Sequence, residues 1–135
     1  TLAKLKRDLW TKLTAYVKAR DGNDCFSCGR GGLAGKNWHG GHMIPAGKCS
    51  LLRFHPLNVH SQCHHCNINL GGNGAMYARR FLAVYGVDEF NGLTAYVGTT
   101  KAWKAHEIAA LTEALDCDKL LDYYNLSVLP AYESK

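Results

Sequence analysis

The sequence predicts an α+β chain, mostly helical, in which an N-terminal helix and several C-terminal helices flank an irregular, metal-clamped middle. Three observations carry this. Apolar residues recur at helical spacing over the first twenty positions and again beyond residue 76. Between them, from Cys25 to Gly74, that period vanishes and glycine and histidine concentrate. Two C-x-x-C pairs, Cys25/Cys28 and Cys63/Cys66, bracket that middle. With 135 residues, 47% of them hydrophobic and 20% charged, the chain reads as one globular domain. It divides into a helix over 1–22, a clamped core over 23–75 and a helical part over 76–135.

Leu2, Leu5, Leu9, Leu13, Tyr16 and Val17 fall at three- and four-residue steps with Lys and Arg between them, which predicts an amphipathic helix stopped near Gly22. In the middle, "NWHGGHMIP" and "SLLRFH" are strand candidates joined by "AGKC" as a hairpin with a loose turn. Helical period then returns. Tyr77, Phe81, Leu82 and Tyr85 mark a helix ending at Gly86, and Phe90, Leu93, Tyr96 and Val97 a short one ending at Gly98. A longer helix is expected from about Trp103 to Tyr124, with the tail "SVLPAYESK" irregular.

No apolar run approaches the roughly 18 residues of a membrane span, and the first residues have no signal-peptide pattern, so the expectation is a cytoplasmic protein without a membrane partner. The formal charge of +5 suits a polyanionic partner. One Zn²⁺ held by four thiolates would lower it to roughly +3, so a local site has to carry any argument for nucleic acid.

A C-x-x-C turn offers two sulfurs to one ion, and two such turns complete the tetrahedral shell that Zn²⁺ favours. The segment Gly29 to Gln62 between the pairs exceeds the roughly 15 to 20 residues of a common zinc ribbon, so the clamp would close around the whole hairpin. Redox and disulfide readings of these cysteines lack the βαβ or small secreted context they need. Cys49 and Cys117 are expected to be small buried apolar residues. His39, His42, His55 and His60 crowd this loop too closely for all to be ordinary core residues, although His55, beside Pro56, suits a structural role.

The order of parts is a His followed by Pro in His42-Met43-Ile44-Pro45, a second strand, Asn58, the second cysteine pair, and Asn67 opening a helix. As a set, C-x-x-C, "GGHMIP", "PLNVHSQC" and "CHHCN" resemble the HNH endonucleases, whose ββα-metal (His-Me finger) core closes a hairpin and helix around one divalent ion. "KARDGNDCFSCGR", "WHGGHM", "LRFHPLNVHSQCHHCN", "GGN", "YARRFLAVYG" and "KAW" extend the resemblance, from about Leu5 to Leu121, to the NinG (or Rap) recombination nucleases of lambdoid phages. The resemblance implies a metal-dependent nuclease of branched DNA such as D-loops and Holliday junctions, in the bacterial host cytoplasm; symmetric cutting of a junction would need two active sites and so favours a homodimer, and recombination proteins are candidate partners.

It also implies roles. His42 matches the general base and Asn58 the residue that ties the loop after the second strand and orients the imidazole. Asn67 falls where a ligand for catalytic Mg²⁺ or Mn²⁺ stands. Many such sites place Asp or His immediately before the base, where this chain has Gly41. His39, two residues back on the same strand face, is the substitute ligand, with His60 the runner-up. Gly40 and Gly41 would let phosphate or metal approach the backbone. Lys36, Lys48, Arg53, Arg79 and Arg80 are the expected phosphate contacts, giving affinity without sequence reading. The competing readings are a zinc-organised DNA-binding or accessory module without catalysis and a zinc-stabilised protein-interaction domain.

Overall fold

The computed structural model describes residues 1–133. Helix α1 spans Leu2–Asp21, started by Thr1, whose hydroxyl accepts the Lys4 N–H, and ended by Gly22 at φ 76°. Leu9, Leu13 and Val17 form its buried stripe. Leu2 and Leu5 continue the same period but stay exposed.

The sheet has two short antiparallel strands, β1 over His39–His42 and β2 over Val59–Gln62, with His39 opposite Gln62 and His42 opposite Val59. The second strand is therefore not "SLLRFH". Leu51, Leu52 and Phe54 of that stretch are all fully buried, and Ser50–Leu52 is a 3₁₀ turn plugging the core. The link from His42 to Val59 is thus a folded loop, and Asn58 stands just before the second strand instead of after it.

Period two gives the sheet two distinct faces. Gly40, His42, Val59 and Ser61 turn toward α1, where Thr14 and Trp10 meet them. His39, Gly41, His60 and Gln62 turn the other way, toward Tyr77 and the π-helical turn His65–Asn69. Asn67 lies inside that turn, ahead of the next regular helix.

Helix α2 spans Gly74–Tyr85 and α3 Val87–Thr94, with Gly86 at φ 90° between them. The expected long helix is split: α4 covers Ala105–Asp116, Asp118 takes φ 56°, and α5 covers Leu120–Tyr123. A left-handed residue breaks the ladder of i to i−4 bonds, so one period of apolar residues folds back as two helices. The chain then continues in helical turns through Tyr124–Val128 and Leu129–Tyr132, against the irregular tail expected there. Residues 134 and 135 of that tail lie outside the described residues. The main core joins Leu9, Leu13 and Val17 of α1 to Leu51, Leu52 and Phe54 of the loop and to Ile108 and Leu111 of α4. Among the described residues, no helix is long and apolar enough to cross a membrane.

Candidate functional site

Cys25, Cys28, Cys63 and Cys66 come together with all four sulfurs within 4.8 Å of one another. Cys28 Sγ and Cys63 Sγ are 3.8 Å apart, the edge expected of a tetrahedron built on bonds of about 2.3 Å. Backbone N–H groups of Cys28 and Cys66 point at the first sulfur of their own pairs, at 3.5 and 3.4 Å, and Asn73 Nδ2 donates to Cys66 Sγ. Burial alone would raise the Cys25 thiol, but the amides of Cys28, Cys63 and Ser27 hold it down at about 7, whereas burial pushes Cys66 up to about 12. Four thiols this close do not all ionise without a cation. The cluster, lined by its own small core of Leu33 and Trp38, could hold a metal such as zinc. Of the two single cysteines Cys49 is buried as expected, but Cys117 is exposed at the break after α4.

His42 closes β1. Its Nε2 lies 2.8 Å from the Arg53 carbonyl, which can only accept, so Nε2 carries the proton of the neutral ring and Nδ1 is left with its lone pair. Trp10 of α1 stacks on the imidazole with centroids 4.7 Å apart and planes 18° from parallel. Burial holds the His42 pKa below the ordinary histidine value; the Arg53 charge adds to this, and the hydrogen bond to the Arg53 carbonyl opposes it. The ring is therefore neutral near pH 7 and able to take a proton.

Asn58, fully buried, holds the loop behind His42 shut. Its Oδ1 accepts the Ile44 N–H at 2.8 Å, and its Nδ2 donates to the carbonyls of Ile44 and Leu52 at 3.0 and 3.1 Å. Its own carbonyl accepts the N–H of Met43, the residue after His42. Arg20, paired with Asp21, donates to the carbonyls of Pro56 and Val59 on either side of Asn58.

The other face of the sheet packs polar side chains over Gly41. Tyr77 Oη donates to the Gly41 carbonyl at 2.7 Å. A Cβ at position 41 would collide with the Gln62 carboxamide and lie 2.9 Å from Asn67 Oδ1. At Gly40 it would lie 2.6 Å from Thr14 Cγ2. Both glycines are thus filled in by protein side chains, which corrects the expectation that phosphate or metal approaches the backbone there. His39 Nε2 donates to the Lys36 carbonyl at 2.7 Å, and its Nδ1 lies 2.9 Å from Asn67 Nδ2, with Asn67 Oδ1 turned toward Gly41. As it stands His39 orients Asn67.

His60 is no ligand. It is fully buried, both ring nitrogens are engaged by Tyr77 and Tyr85 hydroxyls, Phe26 stacks on it at 4.0 Å, and burial pushes its pKa down to about 3. His55 is likewise a core residue, 3% exposed.

The five expected phosphate contacts distribute unevenly. Arg53 lies beside His42, its guanidinium over the Phe54 ring. Lys36 stands on the turn that holds His39, and Lys48 is exposed on the loop between the strands. Arg79 and Arg80, exposed on α2, flank Cys28 instead of His42, and Arg80 Nε donates to the Phe26 carbonyl. Sequence reasoning missed Trp10, Gln62 and Tyr77. Trp10 sits next to the Leu9/Leu13 stripe and Gln62 next to a cysteine of the clamp, but neither position has a signal of its own.

Residues 2–121 match the family described as Bacteriophage Lambda NinG protein. Protein ninG of Escherichia phage lambda is 33% identical over 97 residues, covering 65% of this chain and 47% of that protein. Protein ninG of Escherichia phage 933W is 34% identical over 82 residues, covering 56% and 40%, and that of Salmonella phage P22 is 34% identical over 82 residues, covering 56% and 39%. The chain spans less than half the length of these curated relatives. No solved structure matches it.

Proposed function

The chain belongs to the NinG family of bacteriophage lambda, and on that premise we propose that it is a metal-dependent, structure-selective DNA endonuclease of the HNH, ββα-metal type. Its substrates are branched recombination intermediates such as D-loops and Holliday junctions, met in the cytoplasm of the bacterial host. The observation that carries the reading is the state of His42. The ring is neutral, anchored through Nε2 and stacked on Trp10, with a lone pair on Nδ1, and the adjacent residue on the strand, Gly41, meets two amide oxygens on the opposite face of the sheet.

In this reading His42 Nδ1 takes a proton from the attacking water while the Arg53 carbonyl holds the opposite edge of the ring. Asn58 keeps the loop that supplies that carbonyl in register with β1. Arg53 neutralises the scissile phosphate beside the base, and Lys36 and Lys48 hold the backbone further out. Arg79 and Arg80 bind a second stretch of backbone near the cysteine cluster, which suits a substrate with two arms. Cys25, Cys28, Cys63 and Cys66 hold one structural Zn²⁺ that clamps the ends of the core. The residues over Gly41 fit a catalytic cation, because two amide oxygens converge there and one of them has no other partner. Mg²⁺ or Mn²⁺, held there, would supply charge stabilisation to a phosphodiester being hydrolysed. Symmetric cutting of a junction calls for two such sites, hence a homodimer.

The second reading, a zinc-organised DNA-binding or accessory module without catalysis, is favoured by one observation: Gly41 stands where a ligand is expected on β1. Cleavage of labelled four-way junctions, D-loops and linear duplex in Mg²⁺ or Mn²⁺ separates the two. The nuclease cuts the branched substrates, and His42→Ala lowers the rate by about 10²- to 10⁴-fold while junction binding persists. Binding without cleavage of any branched substrate in either ion establishes the module instead.

A further inference from the structure

Among the described residues, Gln62 Oε1 is the single enclosed side-chain nitrogen or oxygen without a hydrogen-bond partner. Its orientation is fixed. Gln62 Nε2 donates to the Gly72 carbonyl at 2.8 Å and to Ser27 Oγ at 2.7 Å, and a carbonyl can only accept, so the oxygen must face the opposite way, over Gly41. Asn67 stands with its Nδ2 2.9 Å from His39 Nδ1 and its Oδ1 turned to the same space. Both oxygens crowd the point where a Cβ of residue 41 would be. A buried amide carbonyl without a donor is rare in folded proteins, and here it faces a second carbonyl instead of an N–H. Two convergent acceptors with no donor between them are what a cation requires.

We propose that Gln62 Oε1 and Asn67 Oδ1 form a divalent-cation site in which Gln62, reaching over Gly41 from the neighbouring strand, supplies the ligand that β1 itself lacks. Two neutral amide oxygens select a hard ion such as Mg²⁺ or Mn²⁺. They leave its charge uncompensated, so binding is weak and a phosphodiester oxygen is the natural third partner. Glycine at 41 is then required by the ligand, since any side chain there would displace the Gln62 amide. His39 acts as a positioning residue that fixes which end of the Asn67 amide faces the ion. That this cation serves DNA cleavage rests on the nuclease reading; that it binds here does not.

The test uses Mn²⁺ on the zinc-loaded chain without DNA, read by paramagnetic broadening of amide resonances. The Gln62 side-chain NH₂ and the Gly41 and Asn67 signals should bleach first in the wild type. Gln62→Met, which keeps the volume but removes both the oxygen and the Nε2 that donates to Gly72 and Ser27, should weaken Mn²⁺ binding at least tenfold with zinc content retained, at a lowered thermal midpoint. Gln62→Ala should do the same, and Gly41→Asp combined with Gln62→Ala should restore binding by returning an oxygen ligand from β1. Broadening centred elsewhere in the wild type, or undiminished binding in folded Gln62→Met, overturns the proposal. Because the wild-type pattern needs no variant, a poorly folding substitution does not protect it. Mn²⁺ bound through Gln62 in a chain that cuts no DNA would sink the nuclease reading alone. Cleavage with Mn²⁺ bound elsewhere would sink this one alone.

Discussion

The imidazole of His42 lies flat against the indole of Trp10, with ring centroids 4.7 Å apart, so the N-terminal helix is a wall of the candidate active site. The stack fixes the ring plane and shields it from water, while Arg53 fixes its edge.

Removing the indole in Trp10→Ala should lower the cleavage rate by about 2- to 10-fold, the equivalent of an aromatic pair worth roughly 0.5–1.5 kcal/mol. It should also change the pH profile. Burial is the main cause of the low His42 pKa, so exposing the ring raises that pKa toward the ordinary value. More of the base is then protonated at a given acid pH, and the acid limb of kcat/KM moves to higher pH. Trp10→Phe should keep most of both properties. An acid limb that stays in place in Trp10→Ala would show that the indole does not desolvate the base.

Asn58→Ala strips partners from three buried backbone groups, the Ile44 N–H and the Ile44 and Leu52 carbonyls. Each stranded group costs on the order of 1 kcal/mol or more, so the loss should be about 3 kcal/mol in urea unfolding. Asn58→Asp keeps the acceptor for Ile44 but cannot donate, and should lose a similar amount. A much smaller loss in both would mean that the loop between the strands holds itself together without this amide.

What the sequence announces here is whatever repeats or pairs locally. The stripe of α1 and the two cysteine pairs follow rules of spacing, and the structure has α1 on its expected bounds and the four sulfurs together. The second strand follows no such rule. His60, Ser61 and Gln62 are polar yet fully buried, and their partners Tyr77, Tyr85, Trp38 and Ser27 come from elsewhere in the chain. The short apolar stretch "SLLRFH" reads as the strand instead, although its leucines fill a plug. Helix α4 and α5 share one apolar period, and only the left-handed Asp118 separates them. For the same reason Trp10 and Gln62 were illegible: each gets its role from a neighbour across the fold.

Zinc loading should be one ion per chain and should depend on all four clustered cysteines. Cys66→Ser or chelation should remove it and lower the thermal midpoint by roughly 10 °C or more, because the metal-binding energy of such a site is folding energy. Order should be lost first around β2, which runs directly into Cys63, while α1 and α4 keep their packing. Cys117→Ser, at an exposed position outside the cluster, is the control and should leave zinc content unchanged. A Cys66→Ser chain with full zinc and an unchanged midpoint would count against the clamp.

Acid stability tests the burial of His55. Its ring is 3% exposed, Nδ1 accepts the Leu57 N–H at 3.1 Å, and Tyr124 packs on it with centroids 4.8 Å apart. Burial pushes its pKa down to about 3, against about 6.5 in the unfolded chain. Above pH 6.5 the ring is neutral in both states and the burial is fully tolerated. As pH falls below 6.5 the unfolded chain takes a proton that the folded chain refuses until about pH 3, so stability declines by about 1.4 kcal/mol per pH unit from this group. Asn at this position keeps an acceptor for the Leu57 N–H but cannot be protonated. His55→Asn should therefore cost some packing at pH 7.5 yet lose stability less steeply than the wild type between pH 6.5 and 5. The acid sensitivity of the cysteine cluster is common to both chains, so the difference in slope isolates the histidine. Equal slopes in urea unfolding across that range would mean that the ring is already charged, or reachable by water, in the folded chain.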